Sequence, residues 1–365
     1  MTVVTGQTIR SGIIGAGFIG GVHAYAVRAA GGRLTRVADH SPDVSVTSAR
    51  RLGAEQASPT PQELIADPDV DVVHICTPNA THASLARLAL EQGKAVICEK
   101  PLATSVSDAQ QLADLARATG IVNAVPFVYR FHPLVREARA RVTRGDAGRV
   151  WLIHGSYLQD WLSRPADTNW RTDPRLGGAS RAFGDVGVHW CDLVEYVTGQ
   201  RIIALSARTA NAFEDRAGTE DGAVVLFETD AGASGSVVVS QVTPGRKNRL
   251  WLSIDGTDAS FSFDQEQPET LWVGGRDENR LVLRDPSQLG AEAGRLARLP
   301  GGHPQGYQDA FSAFVADVYA SVLGAQAEGV PTFEDGLRAA LLTEAVLTSA
   351  RTSTWVGVPQ HSPVS

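Results

Sequence analysis

The run Gly15-Ala16-Gly17-Phe18-Ile19-Gly20 narrows the possible folds more than any other stretch of this chain. A strand-like segment, Ile9–Ile14, leads into it, and a helical pattern continues from it to Ala30. A second strand, Leu34–Ala38, closes on Asp39, 19 residues after Gly20. Spaced glycines alone are a weak signal, but a preceding strand, a following helix and an acid about 20 residues on make a dinucleotide fingerprint. All three hold. The glycines permit a tight turn and let backbone N–H groups approach a pyrophosphate at the positive end of the helix. Asp39 is suited to accept from the adenosine ribose hydroxyls and to repel a 2′-phosphate, so NAD is expected in preference to NADP. A glycine-rich turn without a ligand is the alternative reading.

Helices and strands keep alternating after Asp39. Helices are expected near Ser45–Leu52, Pro61–Ala66, His82–Gln92 and Ser107–Thr119, with strands at Val70–Cys76, within Lys94–Lys100 and at Ile121–Val128. This rhythm predicts a doubly wound parallel sheet. The run Lys94-Ala95-Val96-Ile97-Cys98-Glu99-Lys100-Pro101 has the unbroken apolar character of a strand covered on both faces. Pro101 stops it and leaves the Lys100 ammonium at the carboxyl end of the sheet, where such sheets bind ligands. Only three of the 33 basic residues are lysines, so Lys100 stands out from an arginine background. A surface Glu-Lys pair closing a strand is the competing reading. Thr77-Pro78-Asn79 and His82 occupy the next strand-to-helix junction, where a cofactor's nicotinamide half is expected. His82 also reads as a helix-start residue with a satisfied backbone contact.

Beyond Tyr129-Arg130-Phe131-His132-Pro133 the pattern changes. A helix near Leu134–Arg144 precedes alternating strands at Val150–Gln159, Ile202–Thr209, Ala223–Glu228, Ser234–Gln241, Arg249–Ile254, Ala259–Phe263 and Thr270–Val273. That describes a second, α+β domain with a large antiparallel sheet. At 365 residues the chain is long enough for two domains. Helices at Gln305–Leu323 and Phe333–Ala350 cover the sheets. An insertion, Asp160–Gln200, carries Gly177-Gly178 and then Asp185 and His189, one helical turn apart if Asp185 opens a helix. The plainer readings are a helix N-cap for Asp185 and a core histidine for His189. With Lys100 they form an acid–base set, histidine for proton transfer and lysine to hold an oxygen.

Net charge of −7 and a pI near 5.7 give no electrostatic case for nucleic acid or an anionic membrane. Cys76, Cys98 and Cys191 read as reduced core residues. Met1–Ser11 lacks an apolar signal core, and no run approaches about 18 apolar residues, so a cytoplasmic protein is expected. Val237, Val239, Leu250, Leu252, Phe261 and Phe263 share one strand phase, expected to be an uncovered apolar face that meets another subunit in a homodimer or homotetramer.

Taken together, Gly15-x-Gly17-x-x-Gly20, Cys76-Thr77-Pro78-Asn79-x-x-His82, Glu99-Lys100-Pro101, Tyr129-Arg130 with Pro133, and Gly177-Gly178 followed by Asp185-x-Gly187-x-His189-x-x-Asp192 resemble the Gfo/Idh/MocA oxidoreductases along essentially the whole chain. The resemblance implies an N-terminal Rossmann domain over residues 1–130. Residues 131–365 would form an open-faced substrate and oligomerisation domain, with the helix at 333–350 packing back on the Rossmann domain. It implies Lys100, Asp185 and His189 as the catalytic set, with the histidine as base. Cofactor contacts would come from Gly15, Gly17, Phe18, Ile19, Gly20, Asp39, Thr77, Pro78, Asn79, His82, Glu99 and Lys100. Substrate contacts would come from Lys100, Tyr129, Arg130, Trp170, Arg171, Asp185 and His189, and no metal is implied. The implied activity is NAD(P)-dependent hydride transfer from a secondary alcohol of a sugar or cyclitol. Two alternatives within the resemblance are a redox-cycling glycoside hydrolase and a cofactor-sensing regulator without catalysis. The run Ser156–Trp161 with Asn169-Trp170-Arg171 resembles one sub-branch.

Overall fold

The computed structural model describes residues 8–214 and 218–360, so most of the Met1–Ser11 segment lies outside the described residues. The chain divides into two compact units, Met1–Val128 with Gln308–Leu337, and Tyr129–Tyr307 with Arg338–Ser365.

In the first unit, strands β1 (Arg10–Ile14), β2 (Arg33–Ala38), β3 (Gln56–Ala57), β4 (Val72–Ile75), β5 (Ala95–Cys98) and β6 (Asn123–Ala124) form one parallel sheet in the order β3-β2-β1-β4-β5-β6. Helices α1 (Phe18–Ala29), α2 (Pro42–Leu52), α3 (Pro61–Ala66), α4 (His82–Glu91) and α5 (Val106–Thr119) connect the strands. Strands β4 and β5 are buried throughout, as a sheet covered on both faces requires. Ser41, Thr60 and Ser105 cap α2, α3 and α5 by accepting a backbone N–H in the first turn. The expected strand Ile121–Val128 shrinks to Asn123–Ala124. Pro126 has no ladder donor, and the Val125 N–H is taken by the Pro331 carbonyl at 3.0 Å.

In the second unit, α6 (Pro133–Thr143), α7 (Pro174–Gly177) and α8 (Val188–Thr198) interleave with β7 (Val150–Leu158), β8 (Ile202–Ala210), β9 (Gly222–Thr229), β10 (Ser234–Ser240), β11 (Arg249–Gly256), β12 (Ser260–Asp264), β13 (Thr270–Gly274) and β14 (Asn279–Leu283). Short α9 (Ala291–Leu296) follows; α10 (Tyr307–Val322) belongs almost wholly to the first unit, and α11 (Phe333–Thr352), which starts in the first unit and continues in the second, leads to β15 (Val356–Gly357) of the second. The sheet order is β14-β13-β12-β11-β7-β10-β9-β8-β15, antiparallel except for the β7–β10 pair. The sequence reading missed β14, an exposed edge strand with little alternation, and the two-residue β3 and β15.

Helix α8 lies on this sheet at Gly155. A Cβ there would come within 2.1 Å of the Trp251 carbonyl oxygen and 2.6 Å of Trp190 Nε1. Trp190, fully buried, donates that N–H to the Trp251 carbonyl at 2.8 Å. The helix is thus stapled to β11 by its own tryptophan.

The structure corrects the expected oligomer face. Val237, Val239, Leu250, Leu252, Phe261 and Phe263 are all buried within one chain, on the face that α6 and α8 cover. The period of two was right and the side was wrong. Val224, Leu226, Val238 and Trp151 point the other way and are about half exposed.

Candidate active site

The first unit builds a nucleotide cradle at the carboxyl ends of its strands. Gly15 sits at φ +88°, and a Cβ on it would meet the Cys76 carbonyl group at 2.8 Å. Glycine is therefore needed where β1 and β4 end side by side. Gly20 packs against the loop so tightly that a Cβ would lie 2.3 Å from the Gly15 oxygen. At Gly17, by contrast, a Cβ would meet nothing within 4 Å, which leaves the space a phosphate needs. Gly17 is the N-cap of α1 with no side-chain cap, so first-turn N–H groups point into that space. Phe18 is mostly exposed beside it. These residues fit a dinucleotide.

Asp39 closes the cradle. Its Oδ2 accepts the Ala16 N–H at 2.9 Å, and Oδ1 accepts the His40 N–H at 2.8 Å. Burial works against the charge, but the His40 and Ala16 amides and the His40 ring outweigh it and hold the carboxyl below its ordinary range. Arg51, at the end of α2, donates to the Ala16 carbonyl. The sequence reading missed it because it lies twelve residues beyond Asp39 and reaches the loop only through the fold.

At the next junction His82 is fully buried, with Nδ1 2.7 Å from the Pro101 oxygen and Nε2 2.9 Å from the Thr77 oxygen. Burial pushes its pKa down, opposed by those two carbonyls, each of which accepts when the ring nitrogen facing it carries the proton. The structure therefore gives His82 the backbone-tying position that the alternative reading described, joining the Thr77 loop to Pro101. Thr77 Oγ1 accepts from Thr81 at 2.7 Å, and Asn79 opens the short turn Asn79–Thr81 after Pro78. Glu99 is buried, and its Oε2 accepts the Lys100 N–H at 3.1 Å. Lys100 itself is half-buried at the strand end. Lys94 donates its ammonium to the Asp67 and Val70 carbonyls at 2.8 and 2.7 Å.

The second unit supplies a different cluster. Asp185 does not cap a helix, contrary to the plainer reading. It lies inside a π-helical turn, Phe183–Gly187, and Gly187 is the N-cap of α8. Buried Glu220 pins that turn by accepting from Ser180 Oγ at 2.6 Å and from the Phe183 N–H at 2.9 Å. A Cβ at Gly187 would strike the Phe183 ring at 2.4 Å, so the wide turn depends on this glycine. Asp185 Oδ2 accepts from Gln241 Nε2 at 2.5 Å, and Arg171 Nε lies 3.4 Å from Oδ1. The Arg171 guanidinium also covers the Trp170 ring at 4.3 Å.

His189, on the first turn of α8, is nearly buried. The Tyr129 ring meets it edge-on with centroids 5.2 Å apart, and Tyr157 lies at 6.4 Å. Tyr129 and Tyr157 share a hydroxyl hydrogen bond, Tyr157 donates to Asn248 Oδ1 at 2.8 Å, and Asn248 Nδ2 donates to Tyr129 at 3.2 Å. Gln159 and Trp161 extend the network to Asn248. Burial raises both tyrosines above their ordinary values, so these hydroxyls stay neutral. Arg130 is committed elsewhere. It forms a two-pronged ion pair with Asp192, with Nε–Oδ2 at 2.8 Å, over the Tyr196 ring. That placement makes it a support for α8. Gln241, Asn248, Tyr157 and Gln159 were not among the expected site residues, because strand termini and a loop bring them together across long separations.

Two family models match this chain. Residues 9–127 match an oxidoreductase family with an NAD-binding Rossmann fold, and residues 135–262 match the GFO/IDH/MocA C-terminal domain. The chain belongs to the Gfo/Idh/MocA oxidoreductase family. Among relatives of this Gfo/Idh/MocA chain, levoglucosan dehydrogenase of Pseudarthrobacter phenanthrenivorans is 31% identical over 98% of the chain and 100% of its own length. The NAD(+)-dependent scyllo-inositol 2-dehydrogenase of Bacillus subtilis is 30% identical over 69% of the chain and 73% of its own. A solved levoglucosan dehydrogenase in complex with NADH and levoglucosan superposes with a TM-score of 0.91, at 31% identity over 97% of this chain and 100% of that one. The parallel first sheet and separate, mostly antiparallel second sheet are thus those of Gfo/Idh/MocA dehydrogenases, and the family expectation drawn from the motifs holds.

Proposed function

We infer that this Gfo/Idh/MocA chain is an NAD-dependent dehydrogenase that oxidises a secondary alcohol of an anhydrosugar, sugar or cyclitol. The observation that carries the reading is the pinned π turn. It presents an aspartate held by Gln241 and Arg171 one turn before a nearly buried histidine that faces two neutral tyrosines. Such a cluster can receive a proton and bind vicinal hydroxyls. His189 takes the hydroxyl proton, Asp185 orients the histidine or a neighbouring hydroxyl, and Lys100 holds the substrate oxygen as charge develops on it. Bound NAD supplies the hydride acceptor. Trp170 and Arg171 fit one wall of the sugar site, and Thr77, Pro78, Asn79 and Glu99 fit the nicotinamide side, with His82 as their support. The test is NAD reduction across levoglucosan, free sugars, inositols and aryl glycosides. Net NADH formation with one class supports the reading. Release of an aglycone without net NADH would replace it with the redox-cycling hydrolase, and no turnover with intact NAD binding would replace it with a regulator.

NAD is proposed over NADP because Asp39 stays ionised at the end of β2 and Arg51 is already bound to the Ala16 carbonyl. Asp39→Ala should raise KM for NAD about tenfold or more and narrow the NAD/NADP ratio of kcat/KM, at a cost of about 1.5–3 kcal/mol for a hydrogen bond to a charged group. An NADP preference in the wild type would sink the proposal.

A cytoplasmic homo-oligomer is proposed as well. Among the described residues no helix is long and apolar enough to cross a membrane. The half-exposed Val224 and Val238 lie directly opposite one another across the β9–β10 pair, with Leu226 two residues along. A paired apolar surface on an open sheet favours a second subunit. Val224→Asp combined with Leu226→Asp should convert the assembly to a smaller species by light scattering, and an unchanged mass would count against this face.

A further inference from the structure

Inside the first unit lies a line of buried polar groups that the proposed chemistry does not use. His23 on α1 has Nε2 3.2 Å from Glu99 Oε1 and Nδ1 2.9 Å from His74 Nδ1 on β4. His74 Nε2 lies 3.1 Å from the Tyr319 hydroxyl on α10, and Tyr319 lies 2.5 Å from Ser11 Oγ on β1. Ser11, His23 and His74 are fully buried and Tyr319 nearly so.

With Glu99 ionised and both histidines neutral, this chain of bonds runs in only one direction. An ionised Glu99 can only accept, so His23 must carry its proton on Nε2. His23 Nδ1 is then an acceptor, His74 must carry its proton on Nδ1, and His74 Nε2 must accept from Tyr319. Tyr319 in turn accepts from Ser11. Each bond is satisfied in that arrangement. Burial pushes the His74 pKa well down, which agrees with a neutral ring. Burial alone would raise Glu99, but the His23 bond, with the charge of Lys100, brings it below its ordinary range. The ionisable groups facing Glu99 are His23 from α1, His82 from α4, Cys76 at the end of β4, and Cys98 and Lys100 from its own strand. The line has no solvent end, since Ser11 is fully buried, so it is unsuited to conducting protons to water.

We propose that His23, His74 and Tyr319 are positioning residues for Lys100: they set the histidine tautomers so that Glu99 remains an ionised, fixed counter-charge bonded to the Lys100 backbone. The functional part of this inference rests on the reading of Lys100 as the holder of the substrate oxygen. The electrostatic part does not.

The chain has only three lysines, so 13Cε-lysine NMR of the intact protein gives three side-chain signals, with the Lys100 signal assigned by its loss in Lys100→Ala. In His23→Phe, which cannot donate to Glu99, the Lys100 signal should titrate at lower pH by a unit or more. The kcat with NAD and whichever of levoglucosan or myo-inositol is turned over should fall roughly 10- to 100-fold, the range seen when partners behind active-site ligands are lost. His23→Gln keeps a donor near the Nε2 position and should restore both. Tyr319→Phe removes one oxygen and should shift the Lys100 titration the same way, and it decides the matter if His23→Phe does not fold. A Lys100 titration unchanged in the folded variants overturns the proposal. If Lys100→Ala itself turns over normally while the NMR shift is seen, the catalytic reading of Lys100 fails and the electrostatic coupling stands.

Discussion

His189→Ala is expected to lose roughly 10²–10⁴-fold in kcat, the usual contribution of one acid–base group. Lys100→Ala should lose turnover on a similar scale. Both should bind NAD normally, because Gly15, Gly17, Gly20 and Asp39 are held by backbone contacts that involve neither side chain. The pH profile adds a sign. A general base must be neutral to work, so kcat for oxidation should fall on the acid side and this limb should vanish in His189→Ala. A purely structural histidine would behave differently, since its loss would lower Tm and leave turnover per folded molecule near wild type. Asp185→Asn keeps the shape and removes the charge that Gln241 and Arg171 embrace, and it should fall between wild type and His189→Ala. Measuring kcat and NAD affinity on the same folded preparation separates these cases, and normal turnover in His189→Ala would end the assignment.

Glu195→Ala is expected to cost about 3–5 kcal/mol of stability, the range for stripping one partner from a buried ion pair. Glu195, near the end of α8, is almost completely buried. It accepts from Arg338 Nε and Nη2 at 3.1 and 2.6 Å, from Arg201 Nη1 at 2.5 Å and from the Ile202 N–H at 2.9 Å. Arg338 is buried too and donates to the Pro359 carbonyl at 3.0 Å, so the variant leaves a buried guanidinium without its counter-charge. Arg201 is half exposed and would simply turn to solvent. Urea unfolding of wild type and variant tests this, and a loss below about 1 kcal/mol would mean that water replaces the carboxylate. Glu195→Gln should recover part of the loss, since its oxygen can still accept.

Local signals made the first unit legible. The glycine spacing, the unbroken apolar runs and Asp39 each follow from constraints a few residues long, and β1, β2, β4, β5 and helices α1 to α5 appear close to where those constraints put them. The exception, β6, failed because its partner for Val125 is Pro331, some two hundred residues away. Alternation located the strands of the second unit, but it could not say which of two faces the helices cover. That choice depends on α6 and α8 landing on one side, and it reversed the expected subunit face. At the site the motif residues were readable by type, while their partners were not. No spacing rule links Asp185 to Gln241, Tyr157 to Asn248 or Glu99 to Tyr319 through two histidines. The π turn was likewise invisible, because Gly187 and Phe183 specify it only once Glu220 has been brought underneath.

The staple between Trp190 and the Trp251 carbonyl at Gly155 divides the protein's evolvable parts from its fixed ones. The helix bearing His189 cannot slide without breaking that bond, and no other residue fits beneath it at position 155. Gln159 to Trp161 and Asn169 to Arg171 lie instead in the connecting segments around it, outside the sheet and long helices. Mutational libraries aimed at new substrates should therefore be confined to those connections. The proton-accepting position would then be inherited unchanged, and a shift in sugar preference would arrive as a change in KM ratios between substrates.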